Sequence, residues 1–150
     1  MAGDGFLLGY AEIEIDAPAE RVFAALTDFA GYAAWNPFTP RIDGEAEVGA
    51  ALRIHVRMGP LSLSERGTLM TLEPGRLLHW HVFPMPRLLV WGDRRQRVEA
   101  LGPGRCRYSS CDRLHGALSP LVAPTFRAIV SRGFAAAAAG LKRHVEGQPG

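Results

Sequence analysis

The chain has 150 residues, of which 47% are apolar and 21% charged, a composition that is typical of one globular domain and excludes disordered, fibrous and membrane-spanning chains. The net charge of +2 hides an asymmetry, because residues 1–50 carry two basic and nine acidic side chains, whereas residues 51–150 carry fifteen basic and six acidic ones. Sixteen of the seventeen basic residues are arginines, which suits nucleic-acid binding, but they are dispersed, which favours a general preference for arginine.

The first predicted elements lie within residues 7–40. Residues 7–16 alternate between apolar and charged side chains, a pattern typical of a half-buried strand. A helix is predicted to start around Pro18, because proline is favoured in the first helical turn and the acidic Glu20 suits the positive end of the helix dipole. Residues 32–40 contain two prolines and are predicted to form a loop or a second short helix.

Residues 41–114 show only strand and turn patterns. Short alternating segments separated by Gly and Pro turns predict an antiparallel meander of about six strands. The predicted strand over residues 88–99 has polar residues on its otherwise apolar face. Successive side chains of a strand point to opposite faces, so the even-numbered residues share one face. Leu88, Val90 and Val98 are apolar and even-numbered, which places three further residues of the same parity on the inward face: Gly92, Arg94 and Gln96.

After Gly116 the apolar spacing becomes helical and predicts one long helix from about residue 119 to 146, with Pro124 as the position of any kink. The order of elements predicts an α+β fold in which an antiparallel sheet is covered by this helix. A strongly bent sheet and a helix would enclose a space. With no linker in the sequence, we predict one domain over residues 1–150, with an ordered core over about 7–146.

The sequence resembles the START-like superfamily, also called SRPBCC, which includes the polyketide cyclase/dehydrase family, lipid-transfer domains and the birch-pollen-allergen fold. The resemblance covers nearly the whole chain and rests on the order and spacing of short segments: Ile15-Asp16-Ala17-Pro18, Trp35-Asn36-Pro37-Phe38, Leu72-Glu73-Pro74-Gly75, Gly102-Pro103-Gly104-Arg105 and Gly133-Phe134. It implies a helix-grip fold, in which a curved sheet of about seven strands (β-α-α-β6-α) wraps around the C-terminal helix. It implies an apolar cavity but no reaction, because the superfamily shares no catalytic residue.

Twelve residues are predicted to contact a ligand in such a cavity. Trp35 and Asn36 fall where the resemblance places the cavity lip, although Trp35 also suits the core and Asn36 a turn. The other candidates follow from strand parity and helix spacing: Ile54, Val56, Trp80, Arg94, Gln96, Tyr108, Ser110, Phe126, Val130 and Phe134.

Arg94 is the polar residue of greatest interest, because a buried guanidinium needs either a partner or an acidic or carbonyl-bearing ligand. Asp112 shares a parity with Tyr108 on the neighbouring predicted strand and could pair with Arg94. If the protein is an enzyme, its catalytic candidates are Arg94, Tyr108 and Asp112, which together could polarise a carbonyl and move a proton. No nucleophile with an adjacent base is visible.

His79 and His81 alternate with the inward residues and are predicted to face outward. Two histidines on one strand face can bind a metal ion. Because no acidic or cysteine partner is evident in register, the sequence favours a solvated face, and we predict no metal and no cofactor.

The first functional hypothesis is a binding module for a small hydrophobic or aromatic molecule, and the alternative is a polyketide cyclase/aromatase-type enzyme acting on a poly-carbonyl substrate. A third possibility, an interaction surface built from Arg53, Arg57, Arg95 and Arg97, is not favoured, so no nucleic-acid partner is expected. We further expect a monomer or homodimer, no membrane insertion and a cytoplasmic location. Cys106 and Cys111 lie on opposite faces of one predicted strand and cannot pair there.

Overall fold

A computed structural model describes residues 5–148 of the chain. Strand β1 (Phe6–Ile15) is followed by helix α1 (Ala19–Thr27) and a 3-10 helix (Phe29–Ala34). Six strands come next, and helix α2 (Ser119–Glu146) ends the fold. The six strands are β2 (Arg41–Asp43), β3 (Ala51–Met58), β4 (Leu61–Glu73), β5 (Leu77–Phe83), β6 (Trp91–Gly102) and β7 (Arg105–His115).

The seven strands form one antiparallel sheet in the spatial order β1-β7-β6-β5-β4-β3-β2. Every consecutive pair from β2 to β7 is joined along the chain, and β1 closes against β7. Helix α2 packs on the inner face of this curved sheet, chiefly against β1 and β7. The predicted α+β helix-grip fold, with two short helices followed by six strands and a long helix, is therefore confirmed.

The strand predicted over residues 88–99 begins later, at Trp91. Leu88 was expected to point inward, but its side chain is 86% exposed. The reason is local: the backbone N–H groups of Leu89 and Val90 donate to the carbonyl of Pro86, which makes residues 86–90 a turn rather than a strand. The parity argument still holds from Val90 onward, because Gly92, Arg94, Gln96 and Val98 are all buried.

Three strand pairs contain a register shift, and each shift leaves one residue out of the ladder. The shifts lie between Leu7 and Gly9, between Leu69 and Thr71, and between Ala100 and Gly102. An extra residue on one strand bends that strand and increases its twist. These irregularities therefore help the sheet to curve around α2.

Helix α2 runs without interruption through Pro124 and is seated closely on the segment that follows the 3-10 helix. A Cβ atom at Gly140 would lie 1.9 Å from the backbone oxygen of Trp35, and one at Gly133 would lie 2.1 Å from the Phe38 ring. Both positions are therefore open to the approach of residues 35–38 only because the helix carries glycine there. The ring of Phe38 also meets that of Phe134 edge-on, with centroids 5.3 Å apart.

The two cysteines are free, as the sequence predicted; Cys106 is buried and Cys111 is partly exposed. None of the helices formed by residues 5–148 contains a stretch long and apolar enough to span a lipid bilayer.

Candidate functional site

A cavity of about 250 Å³ lies between the inner face of the sheet and the first half of α2. This volume lies just below the range of about 300–1,000 Å³ that is usual for small-molecule sites. Apolar side chains form most of its wall, including Ile54 and Val56 on β3, Trp80 on β5, and Phe126 and Val130 on α2. The space therefore suits a compact apolar or aromatic molecule.

The cavity opens between exposed apolar side chains. Leu61, Leu63, Met85 and Phe126 all line the cavity and are between 38% and 54% exposed. Exposed apolar groups that cluster around an opening are typical of ligand-binding grooves.

Three ionisable side chains interrupt the apolar wall: Arg94 on β6, Asp112 on β7 and Glu65 on β4. Arg94 and Asp112 are directly paired in the strand register and are 5% and 7% exposed. Burial of ionisable groups is costly unless they are paired or hydrogen-bonded. Their hydrogen-bonding partners therefore decide what the cavity can recognise.

The guanidinium of Arg94 is held mainly by aromatic rings. Its central carbon lies 4.2 Å from the centroid of the Phe134 ring and 5.6 Å from that of Trp80, within the range of cation–π attraction. Its Nε donates to the Ser110 hydroxyl at 3.2 Å. The predicted Arg94–Asp112 ion pair is not formed, because within residues 5–148 no carboxylate oxygen lies within 4.0 Å of this guanidinium. Most of its N–H donors thus remain available.

The Asp112 carboxyl is buried and incompletely bonded, since its Oδ1 atom has no hydrogen-bond partner among the described residues. Gly92 leaves space beside it, because a Cβ atom there would lie 3.3 Å from this oxygen. Burial raises the pKa of Asp112 to about 8, although the positive charge of Arg94 acts in the opposite direction. At neutral pH the group is therefore mostly a neutral acid, which can donate a hydrogen bond to a carbonyl.

Glu65 completes the polar group and was missed from the sequence. Burial raises the pKa of its carboxyl to about 7, and Arg94 again opposes this effect. A signal was present, because Leu61, Leu63, Glu65 and Leu69 share one parity and an acid in that apolar series is unusual. Two carboxyl groups with pKa values near neutrality in one cavity are typical of functional sites.

The raised pKa values predict a stability that falls as the pH rises. Between the ordinary pKa values near 4 and the folded values of about 7 and 8, the folded chain binds more protons than the unfolded chain. The free energy of unfolding must therefore decrease across this interval and level off above about pH 8. We expect a lower thermal midpoint at pH 8.5 than at pH 5.5, measured by circular dichroism.

Asp112→Asn should flatten this pH profile, because an amide does not titrate. The comparison isolates Asp112, since His81, whose pKa is lowered by burial, titrates in both proteins and opposes the trend equally. Glu45→Gln, at an exposed position, is the matched control and should keep the slope. An Asp112→Asn profile as steep as that of the unmodified protein would contradict the raised pKa.

The structure brings about half of the predicted ligand residues to the cavity and places the rest behind its wall. Ile54, Val56, Trp80, Arg94, Phe126 and Val130 line it, together with the catalytic candidate Asp112. Trp35, Asn36, Gln96, Tyr108, Ser110 and Phe134 are buried but do not line it.

Contacts within the fold account for four of the residues behind the wall. Trp35 packs on Tyr32, with ring centroids 4.7 Å apart. Asn36 accepts hydrogen bonds at its Oδ1 from the backbone N–H groups of Phe38 and Thr39, which makes a turn rather than a cavity lip. The Tyr108 hydroxyl donates to Gln96 Oε1 at 2.5 Å, and burial raises the pKa of this phenol.

A larger concavity of about 980 Å³ lies elsewhere, between α1 and the turns at the ends of the sheet. Its wall carries charged side chains such as Glu20, Arg97 and Arg107, and it is an open groove. None of the buried side-chain atoms that lack a partner within residues 5–148 lies on its wall. The smaller cavity is therefore the better candidate for a binding site.

The outer face of the sheet differs from the expectation at His79. This side chain was predicted to face solvent, but it is only 7% exposed. Asp93 is also nearby, because β6 places it opposite His81 in the register. The acidic partner that the sequence did not reveal is thus supplied by the neighbouring strand.

The four arginines of the third hypothesis are all exposed, but they belong to two separated strands. Arg53 and Arg57 lie on β3, and Arg95 and Arg97 on β6. Strands β4 and β5 lie between them. These residues form no compact basic patch.

Comparisons with known proteins agree with this architecture. Residues 10–146 match the model of the family described as polyketide cyclase/dehydrase and lipid transport. A search of curated protein sequences gives no match.

Several solved structures share the fold at low sequence identity. A START superfamily protein from Mycobacterium smegmatis superposes with a TM-score of 0.77 at 18% identity, over 94% of this chain and 98% of that one. The Zhui aromatase/cyclase from Streptomyces sp. R1128 gives a TM-score of 0.66 at 20% identity, over 91% and 92% of the two chains. Norcoclaurine synthase from Thalictrum flavum, in complex with dopamine and hydroxybenzaldehyde, gives 0.67 at 16% identity, over 94% and 87%. At these identities the similarity shows the fold.

Proposed function

Because the chain belongs to the polyketide cyclase/dehydrase and lipid transport family, we propose that it binds a small hydrophobic or aromatic molecule in the cavity between the sheet and α2. One observation carries the proposal: an apolar cavity contains two buried ionisable side chains, Arg94 and Asp112, and the Asp112 Oδ1 atom has no hydrogen-bond partner among residues 5–148. A ligand with one carbonyl or hydroxyl group would bond these side chains, and its apolar body would fill the remaining space.

The volume of the cavity supports a compact ligand. About 250 Å³ suits a molecule of one or two rings. The apolar rim of Leu61, Leu63, Met85 and Phe126 gives such a ligand a path from solvent. In this proposal the protein works in the cytoplasm, a location supported by its two unpaired cysteines.

The polar group also supports the second candidate function, a cyclase/aromatase-type reaction. A neutral Asp112 beside the Arg94 guanidinium could polarise a ligand carbonyl, and a pKa of about 8 suits an acid that transfers a proton near neutral pH. The variant Asp112→Asn distinguishes the two functions. Turnover of a poly-carbonyl substrate should be lost in this variant if the protein is an enzyme, whereas ligand binding should change only modestly.

The binding proposal predicts that filling the cavity abolishes binding. Native mass spectrometry of the protein purified from cells should reveal a bound small molecule, and calorimetric titration with 2-naphthol, a two-ring alcohol, provides a defined probe. Val130→Phe places a ring in the cavity from α2, where Val130 is 3% exposed. We expect its affinity for 2-naphthol to fall at least tenfold, because the space that the probe needs is occupied.

Ala128→Phe is the matched control, since it adds the same ring at an exposed position of the same helix. It should bind 2-naphthol as the unmodified protein does. Equal binding by Val130→Phe and Ala128→Phe would place the probe outside the cavity. Failure of the unmodified protein to bind the probe at about 1 mM, where even an interaction of about −4 kcal/mol is visible, would contradict the proposal if no co-purified molecule is found.

A further inference from the structure

Three metal-ligand side chains meet on the outer face of the sheet, away from the cavity. His79 and His81 are two residues apart on β5, so they project from the same face. Asp93 on β6 is paired with His81 in the register. The intervening Trp80 and the adjacent Arg94 project to the inner face, where both line the cavity.

The ligand atoms of these three side chains converge. Asp93 Oδ1 lies 2.7 Å from His79 Nε2, and Asp93 Oδ2 lies 3.8 Å from His81 Nε2. One nitrogen or oxygen from each residue falls within 4.8 Å of the other two. Ligand atoms around a tetrahedral zinc ion are about 3.3 Å apart, given bonds of about 2.0–2.2 Å. Small side-chain rotations therefore suffice to place all three around one ion.

A second observation points to a missing ligand in the cluster. His79 Nε2 is buried and makes no well-directed hydrogen bond among the described residues, although it lies 2.7 Å from Asp93 Oδ1 as an ion-pair contact. The side chain that carries this nitrogen is only 9% exposed. A buried nitrogen that makes no well-directed hydrogen bond is uncommon and suggests a bound ion or water.

A hydrogen bond from outside the cluster supports the orientation of His79. The Thr71 hydroxyl on β4 lies 3.3 Å from His79 Nδ1. When Nδ1–H donates to this hydroxyl, Nε2 presents its lone pair to the cluster. Metal-binding histidines are usually held in this way by a partner on their other ring nitrogen.

We propose that His79, His81 and Asp93 bind one divalent transition-metal ion, with two imidazole nitrogens, one carboxylate and solvent in the remaining position. This ligand set suits zinc. Arg95 contacts Asp93 through its Nε at 3.2 Å, but its side chain is 45% exposed and can turn into solvent when an ion takes its place. The ion would join β5 to β6 directly behind Trp80 and Arg94.

Zinc binding to the full chain tests this proposal. After treatment with a chelator and its removal, calorimetric titration with zinc chloride should show one ion per chain. A hundredfold excess of zinc over its dissociation constant should raise the thermal midpoint by about 5–10 °C. His81→Ala and Asp93→Asn should each weaken zinc binding at least tenfold, since each removes one of three ligands.

His55→Ala is the matched control, because His55 Nε2 also contacts an aspartate, Asp43, at 2.9 Å but has no second histidine beside it. It should leave zinc binding unchanged. His81 and Asp93 are chosen because they are more exposed than His79, and circular dichroism without zinc confirms that each variant is folded. If Asp93→Asn is unfolded, zinc binding by His81→Ala alone tests the proposed site.

Three results would overturn the assignment. They are an unmodified protein that binds no zinc up to about 100 μM, unchanged binding in folded His81→Ala, and a loss of binding in His55→Ala equal to that in His81→Ala. Because the cluster and the cavity lie on opposite faces, 2-naphthol binding is measured separately, and its outcome does not bear on the metal site.

Discussion

Replacing Arg94 with methionine is expected to raise the stability of the protein and to lower its affinity for a carbonyl- or hydroxyl-bearing ligand. The guanidinium is 5% exposed and has no carboxylate within 4.0 Å among residues 5–148. An apolar side chain of similar length avoids this burial of charge, and replacing a buried ion pair with apolar side chains often stabilises a protein by about 1–4 kcal/mol. The thermal midpoint should rise by about 2–16 °C.

Removal of the guanidinium leaves no buried carboxylate without a positive charge beside it, because Asp112 and Glu65 have raised pKa values and can remain protonated. Affinity for 2-naphthol should fall about tenfold or more, since a hydrogen bond to a charged donor contributes about 1.5–3 kcal/mol. Calorimetry and thermal unfolding measure the two effects on the same sample. A rise in stability with a loss of binding is typical of residues kept for function.

Arg97→Met is the matched control, because Arg97 lies on the same strand but is exposed on the outer face. Its stability should stay within about 0.5 kcal/mol of the unmodified protein, and its affinity should not change. A less stable Arg94→Met protein would show that the contacts with Phe134, Trp80 and Ser110 outweigh the cost of burying the guanidinium.

Gly140→Ala is expected to destabilise the fold by about 2–3 kcal/mol, the usual cost of overpacking. Helix propensity alone predicts the opposite, since alanine is about 1 kcal/mol more favourable than glycine inside a helix. The close approach decides the sign: the new Cβ would lie 1.9 Å from the Trp35 carbonyl oxygen, a backbone atom that cannot rotate away. The thermal midpoint should fall by about 5–10 °C.

Gly104→Ala provides the comparison, because nothing lies within 4 Å of a Cβ atom at that exposed turn. A change within about 1 kcal/mol is expected there. If Gly140→Ala were as stable as the unmodified protein, α2 could not be seated on residues 35–37 as described.

Residue parity was sufficient to predict most of the fold and the central polar residue of the cavity. Alternation within one strand fixes which side chains share a face, so the inward direction of Arg94 follows from Val90 and Val98 alone. The same reasoning misplaced Leu88, because residues 86–90 form a turn and lie outside the sheet. Alternation predicts which face of the sheet a side chain occupies only for residues that belong to the strand.

Other features of the site depend on contacts between strands, which one strand's pattern does not contain. Asp93 lies opposite His81 only because the turn after β5 sets that register. Asp112 is paired with Arg94 along the backbone, yet whether the side chains bond depends on the rings of Phe134 and Trp80. Glu65 lies in the same alternating series as Leu61, Leu63 and Leu69, so its inward direction could be predicted from the sequence.

The alternation of faces along β6 also limits how the chain can change in length during evolution. Inserting or deleting one residue between Asp93 and Arg94 would exchange the two faces beyond that point and would turn Arg95 and Arg97 towards the cavity. The register shifts near Leu8, Met70 and Leu101 show where this sheet already absorbs an extra residue. Length variation among related sequences should therefore gather at these positions and in the turns, and should avoid residues 92–98.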